Sequence, residues 1–454
     1  MYVEITTILF DYNGVITEIN KDQNKNFNFY DGKIQEVCNI FADMINEEPK
    51  TLYFLNPEEE VNSTKKIEEG RGYHYIHYIS IRVKKRKNII SNKVTNENCK
   101  YITLKYKTNN EKRIKIFGTD FVKNNKQNCE ILYENKKYDL TEYFDIENKP
   151  IPDNILEIKL IVNNYITNMS CMFLNCYNLI SLPDIHKLDT SYAYDMHSLF
   201  SNCINLTEID YNISEWNTEN CEDISYLFCE CCSLVNIPDI SKWNISKVKY
   251  MDYLFYSCSK IKILPNISKW DTSNVENINY LFFNCISLSL LPDISIWNTS
   301  NLKYAEEVFG NCKSLFTLPD ISKCDMNNVI SLRNIFIGCK NLLCLPDISK
   351  WNLSNIKNIQ GLFWGCNSLN SIPDISKWNI SKVTDVSFLF YESSSIVSLP
   401  DISKWDINKI KEIGCMFTGC SSLTFFPDMS NQIKQRFKKD NSFYNCINLV
   451  NQPN

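Results

Sequence analysis

Between residues 166 and 450 apolar side chains return in the same order about every 27 residues. In the copy from Ser246 to Trp270, the residues Val248, Met251, Leu254, Phe255 and Cys258 are spaced by three, three, one and three positions, which places them on one stripe of a short helix. Ile261, Leu264 and Ile267 then recur every three residues around Pro265, which has no amide to donate and marks where the helical half ends. Each coil is therefore expected to contain a short helix, a turn and a short extended segment. The Asn or Asp after the tryptophan, followed two residues later by Ser as in Asn244 and Ser246, supplies side chains that cap local amides and start the next coil.

The beat is kept by Pro238, Pro265, Pro292, Pro319, Pro346, Pro373, Pro400 and Pro427, with outlying copies at Pro183 and, degenerate, at Tyr211. A period of this length means a solenoid, because one coil cannot bury its own apolar side and stacking must supply the core. Phenylalanine recurs at one slot from Phe173 to Phe443, and tryptophan at another, at Trp216, Trp243, Trp270, Trp297, Trp351, Trp378 and Trp405. Leu188 and Cys324 replace the tryptophan in two coils, which a packing slot tolerates better than a ligand-stacking one would. Cysteine fills a third slot ten times, from Cys176 to Cys446, with Ser393 in the one gap. In-register side chains point the same way, so these cysteines are expected to be buried reduced thiols, which favours a reducing compartment.

Segments such as Trp270-Asp271-Thr272-Ser273-Asn274-Val275 running on to Leu281-Phe282-Phe283-Asn284-Cys285 resemble the BspA-like leucine-rich repeats of bacterial and protist surface proteins. The resemblance implies a leucine-rich-repeat-like α/β solenoid over 166–454 with a C-terminal cap, a role in adhesion or protein binding, and no catalytic residues. Ahead of it the texture changes. Strand-like runs at 2–10, 15–19, 51–55 and 75–83, an Asn13-Gly14 hairpin signal, and an amphipathic helix through Ile34, Val37, Cys38, Phe41, Met44 and Ile45 resemble a ubiquitin-like β-grasp domain over 1–88. Further strand-like runs within 89–165 are assigned to a linker and a β-rich cap that keeps the first core layer of the solenoid dry.

Composition narrows the function. With a formal charge of -5 and 22% charged residues the chain lacks the basic footprint of a nucleic-acid-binding protein. No apolar run approaches the roughly 18 residues of a membrane span, and the first residues lack the pattern of a secretion signal, so a cytoplasmic location is expected, with the cell surface as the alternative. The four histidines, His74, His77, His186 and His197, show no zinc-ligand spacing, and no glycine loop or nucleophile elbow is present, so neither a cofactor nor a metal is expected. Lys84-Lys85-Arg86-Lys87 is read as the solvated end of a strand, with an import address as the alternative.

The surface signal is a pair of ladders, Asp239, Asp293, Asp320, Asp347, Asp374 and Asp401 beside Lys242, Lys269, Lys323, Lys350, Lys377 and Lys404. Their three-residue spacing lets each coil expose one acid and one base at the same edge. They are either self-neutralising or the stripes that bind a partner. The leading expectation is a non-enzymatic protein-interaction scaffold, with a cell-surface adhesin as the alternative and an enzyme of unknown class a distant third.

Overall fold

A computed structural model describes residues 101–450, apart from 110, 148, 429 and 430, together with four earlier strand segments. The chain divides into two units, Met1–Glu97 and Asn98–Asn454. In the first, β1 (Glu4–Tyr12), β2 (Val15–Asn20), β3 (Leu52–Phe54) and β4 (His77–Lys84) form one sheet in the order β2-β1-β4-β3. β1 is antiparallel to β2 and β4, while β3 runs parallel to β4. The helix expected through Ile34 to Ile45 lies outside the described residues.

In the second unit the repeats form a stack of coils, but not from helices. The coil 278–285 shows why. The amides of Ile278, Tyr280, Phe282 and Asn284 donate to Tyr304, Glu306, Val308 and Gly310 in the next coil, at 2.7–3.0 Å. The intervening amides of Leu281, Phe283 and Cys285 donate three residues back, to Ile278, Tyr280 and Phe282, at 3.1–3.2 Å. Carbonyls alternate in the same way, because Asn277, Asn279, Leu281 and Phe283 accept from the preceding coil. Every backbone amide in the segment is satisfied, half within the coil, with Asn279 donating to the Asn277 side chain, and half between coils.

An α-helix would direct all of these amides four residues back and would exclude the left-handed backbone that Tyr280 and Asn284 adopt, at φ 57° and 59°. The stripe of apolar positions is thus made by three-residue turns and not by the expected helix. Tight three-residue turns also bring side chains three and four apart to one side, and an isolated helix of eight residues would be marginal where a neighbouring coil offers a full ladder. The extended half is likewise reduced to β11 (Leu179–Leu182), β12 (Glu208–Ile209) and isolated parallel bridges such as Ile263 to Leu290. Single turns of 3-10 helix at Ile321–Lys323, Ile348–Lys350, Ile375–Lys377 and Ile402–Lys404 follow the prolines.

Side chains stack as the backbone does. From Phe200 to Phe417 successive phenylalanine rings lie 5.4–6.0 Å apart and within 16° of parallel, an offset stack buried within the coils. The N-terminal end is closed by β5 (Tyr101–Lys107), β7 (Cys129–Tyr133), β8 (Lys136–Asp139) and β10 (Ile155–Val162), which continue the sheet of the first coils in the order β12-β11-β5-β10-β7-β8, while β6 (Arg113–Lys115) and β9 (Tyr143–Asp145) form a separate antiparallel pair. α1 (Thr119–Asn125) brings the Gly118 amide to the Met172 carbonyl at 3.0 Å and the Asn125 side-chain amide to the Asn168 carbonyl at 3.0 Å. A Cβ at Gly118 would stand 2.0 Å from the Cys171 carbonyl oxygen, so this approach requires glycine. At the other end α2 (Asn431–Lys439) packs Phe437 against Phe417, with ring centroids 5.6 Å apart.

Central coils lean on two neighbours and terminal ones on fewer. Phe309→Ala, in the middle of the ring stack, should lower unfolding stability by about 3–5 kcal/mol. The same change at half-buried Phe443 should cost clearly less. Denaturant melts of both variants read the difference, and equal losses would count against a linear stack.

Candidate functional site

The three ladders predicted from the repeat occupy different layers of the coil. The cysteine slot is buried and makes a hydrogen bond of its own. Cys258, Cys285, Cys312 and Cys339 donate through Sγ to the carbonyls of Phe228, Phe255, Phe282 and Phe309 at 3.0–3.1 Å. Burial pushes the Cys285 and Cys339 thiols up to about 12, so they stay protonated and able to donate. Ser393, the exception in sequence, donates to the Phe363 carbonyl at 2.5 Å. Serine stands in for cysteine because the slot selects a small donor, a requirement that an apolar reading of the pattern misses.

The tryptophans are buried too, as packing predicts. Six of them donate the indole N–H to an isoleucine carbonyl 30 residues earlier, as Trp243 does to Ile213 at 2.8 Å and Trp351 to Ile321 at 2.9 Å. Trp216, at the start of the ladder, has no acceptor for its indole nitrogen. All seven ladder rings are buried.

The aspartates and lysines do form one exposed edge. Asp239, Asp293, Asp320, Asp374 and Asp401 each accept the amide of the serine two residues on, at 3.0–3.3 Å, and Asp347 accepts the Ser349 hydroxyl. The serine hydroxyl, and then its amide, hold the carboxyls of Asp293, Asp320 and Asp374 below the usual carboxylate range. These acids therefore launch the turn that follows the proline and remain anionic. Lys350 and Lys404 reach back to Asp347 and Asp401 at 3.4 and 3.3 Å, while Lys242, Lys269, Lys323 and Lys377 project from the same edge.

Other inter-coil contacts escaped the sequence reading. Glu222 pairs with Lys249 and Glu276 with Lys303, both at 2.7 Å, and Arg333 bridges Glu306 and Glu307 at 3.3 and 3.2 Å. Tyr226, Tyr253 and Tyr280 stack at 4.4 and 4.5 Å on half-exposed left-handed turns. The signal was present, since every pair but Arg333–Glu307, at 26, is 27 residues apart, but it becomes legible only when side chains are compared down a slot. His186 contacts Asp210, and His197 lies edge-on to Tyr226. Among the described residues no group of His, Cys, Asp and Glu could hold a metal ion, and no helix is long and apolar enough to cross a membrane.

This combination of 27-residue coils, buried donor ladders and a charged edge defines a repeat solenoid. A family model described as "Mycoplasma protein of unknown function, DUF285" matches residues 153–262, 232–343 and 331–452, and the chain belongs to that family. Among solved structures, the chain is similar to a leucine rich cell surface protein from Faecalibacterium prausnitzii A2-165, at 17% identity over 64% of this chain and 83% of that one, with a TM-score of 0.23. No curated protein matches the sequence.

Two substitution pairs test the donor ladders by thermal or denaturant unfolding. Cys339→Ser, which keeps a donor for the Phe309 carbonyl, should be milder than Cys339→Ala, which loses a hydrogen bond of about 0.5–1.5 kcal/mol as well as volume. Trp243→Phe should likewise cost more than Trp216→Phe, because only the former breaks an indole bond. A larger loss at Trp216 would contradict the bonding pattern.

Proposed function

We propose that the protein is a non-enzymatic interaction scaffold whose solenoid edge recognises an extended protein surface, as the resemblance to BspA-like leucine-rich repeats implies. In this reading the unit before the solenoid is a ubiquitin-like docking module. The observation that carries the proposal is the repeated edge itself. Each Asp is held by its own turn before any partner arrives, so the carboxylates are presented in fixed orientation and in register with the lysines beside them. Preorganised groups lose less freedom on binding, and distributed charges steer association and select partners more than they add raw affinity. The cysteine and tryptophan ladders, by contrast, are occupied in holding coils together.

Because the aspartates cap turns, the lysines are the side chains to reverse. Lys323, Lys350 and Lys377 changed together to Glu should leave the melting temperature and circular dichroism nearly unchanged. Association with partners that the wild-type chain retains, followed by surface plasmon resonance, should slow in on-rate and lose salt sensitivity, whereas single reversals should do little. Unaltered association by the folded triple variant would place the binding surface elsewhere.

A further inference from the structure

The extended side of the coil carries apolar residues in the open. It runs between two corners, the turn at 313–314 or 340–341 and the 3-10 turn at Ile321–Lys323 or Ile348–Lys350. On this side Val235, Ile263, Leu290, Phe316 and Leu343, one from each of five consecutive coils, are 49–60% exposed. Ile263 bridges to Leu290, and the Leu343 amide donates to the Phe316 carbonyl at 3.0 Å, so these positions stand coil on coil. Neighbouring strands lie about 4.8 Å apart, which brings successive side chains of the row within reach of one another. A single exposed leucine needs no explanation, whereas a row along one face marks an interaction surface.

Opposite charges bracket the row. Lys260, Lys313 and Lys340 are exposed at the first corner, each three residues before the apolar member of its coil. No carboxylate among the described residues pairs with them, unlike Lys249 and Lys303. At the second corner Asp293 follows Leu290 by three residues, and Asp320 and Asp347 follow Phe316 and Leu343 by four. Their own turns hold these acids anionic, through the serine two residues on. Lys323 and Lys350 lie three residues further out, beyond the acidic margin. The face is thus basic along one margin, acidic along the other and apolar between. The acidic margin disfavours an anionic membrane surface as its occupant. An α-helix laid along the row would advance about 5.4 Å per turn and fall out of step with the coils.

A second copy of the chain fits both the margins and the spacing. We propose that this face is a self-association surface, on which two solenoids pair side by side and parallel, with the row from Val235 to Leu343 packed against itself. A two-fold axis parallel to the rod and lying in the interface sets row against row and exchanges the margins. Lys313 and Lys340 then face Asp320 and Asp347 of the second copy, and the match recurs from coil to coil because both rods share one period. An antiparallel pair would set lysine against lysine. Cys344, exposed beside Leu343, comes close to Cys344 of the second copy. The inference concerns self-association and does not rest on the scaffold reading.

The test uses the full chain, in sedimentation equilibrium over a concentration series and in cross-linking with a short bis-maleimide. The wild type should dimerise and become cross-linked through Cys344, and Cys344→Ser should abolish the cross-link while leaving the dimer intact. Leu290→Ser, Phe316→Ser and Leu343→Ser together should raise the dissociation constant more than about 10-fold. Asp320→Asn with Asp347→Asn keeps a capping side chain at each turn and removes the charge. That pair should weaken the dimer about 3- to 10-fold and flatten its salt dependence. Should the triple serine variant fail to fold, the asparagine pair and the cross-link decide. A wild type that stays monomeric throughout the series, or a dimer equally stable in the folded serine variant, overturns the surface. A wild-type dimer that is not cross-linked through Cys344 overturns the parallel arrangement.

Discussion

Everything in the solenoid depends on vertical register. Alternate amides in each coil find their acceptors one coil on, so a coil displaced along its neighbour by one residue would strand half of its backbone donors in the interior. Each stranded buried group costs about 1–3 kcal/mol, and a slip strands several in every coil at once. The same register aligns the phenylalanine rings, seats the thiols of the repeat slot on carbonyls and carries the indoles from Trp243 onward to an isoleucine carbonyl in the preceding coil. The repeat is regular because these bonds all require one spacing, and the side chains at each slot follow from the atom they must reach.

The register also explains the tolerance of the sequence elsewhere. Left-handed turns fall at two positions in nearly every coil, and there the chain uses Asn at Asn284 and Asn311 and Gly at Gly338 and Gly365. These residues accept such a backbone at little cost. Tyrosine at Tyr253 and Tyr280 accepts it at a higher one, offset by the stack those rings make with each other. Polar exposed positions follow no such rule, which is why charged pairs such as Glu276 and Lys303 vary from coil to coil.

Much of this was legible in the chain. The period, the stacking axis, the burial of the cysteine and tryptophan slots and the polar edge after each proline all follow from counting residues. The local conformation did not. Spacings of three and four fit a helix stripe and a run of three-residue turns equally well, and what separates them is where the amides point, which is a property of the neighbouring coil. For the same reason Ser393 looked like an interruption when it is an equivalent donor. The aspartates were identifiable as an exposed row, while their duty within the turn required the position of the serine amide two residues on.

The direction of the inter-coil bonds gives the stack two unlike ends. Through the segment of left-handed turns carbonyls face the N-terminal end, where Gly118 and Asn125 supply donors, and amides face the C-terminal end, where the coil of Phe417 donates to Ser442 and the closing segment, while single amides such as those of Glu276 and Lys303 donate the other way. The two closures are therefore not interchangeable, yet neither senses how many coils separate them. Insertion or loss of one whole repeat leaves both junctions chemically identical, whereas a change of any other length mismatches every bond beyond it. Length is thus the dimension along which such a gene can drift by unequal recombination without first losing the fold.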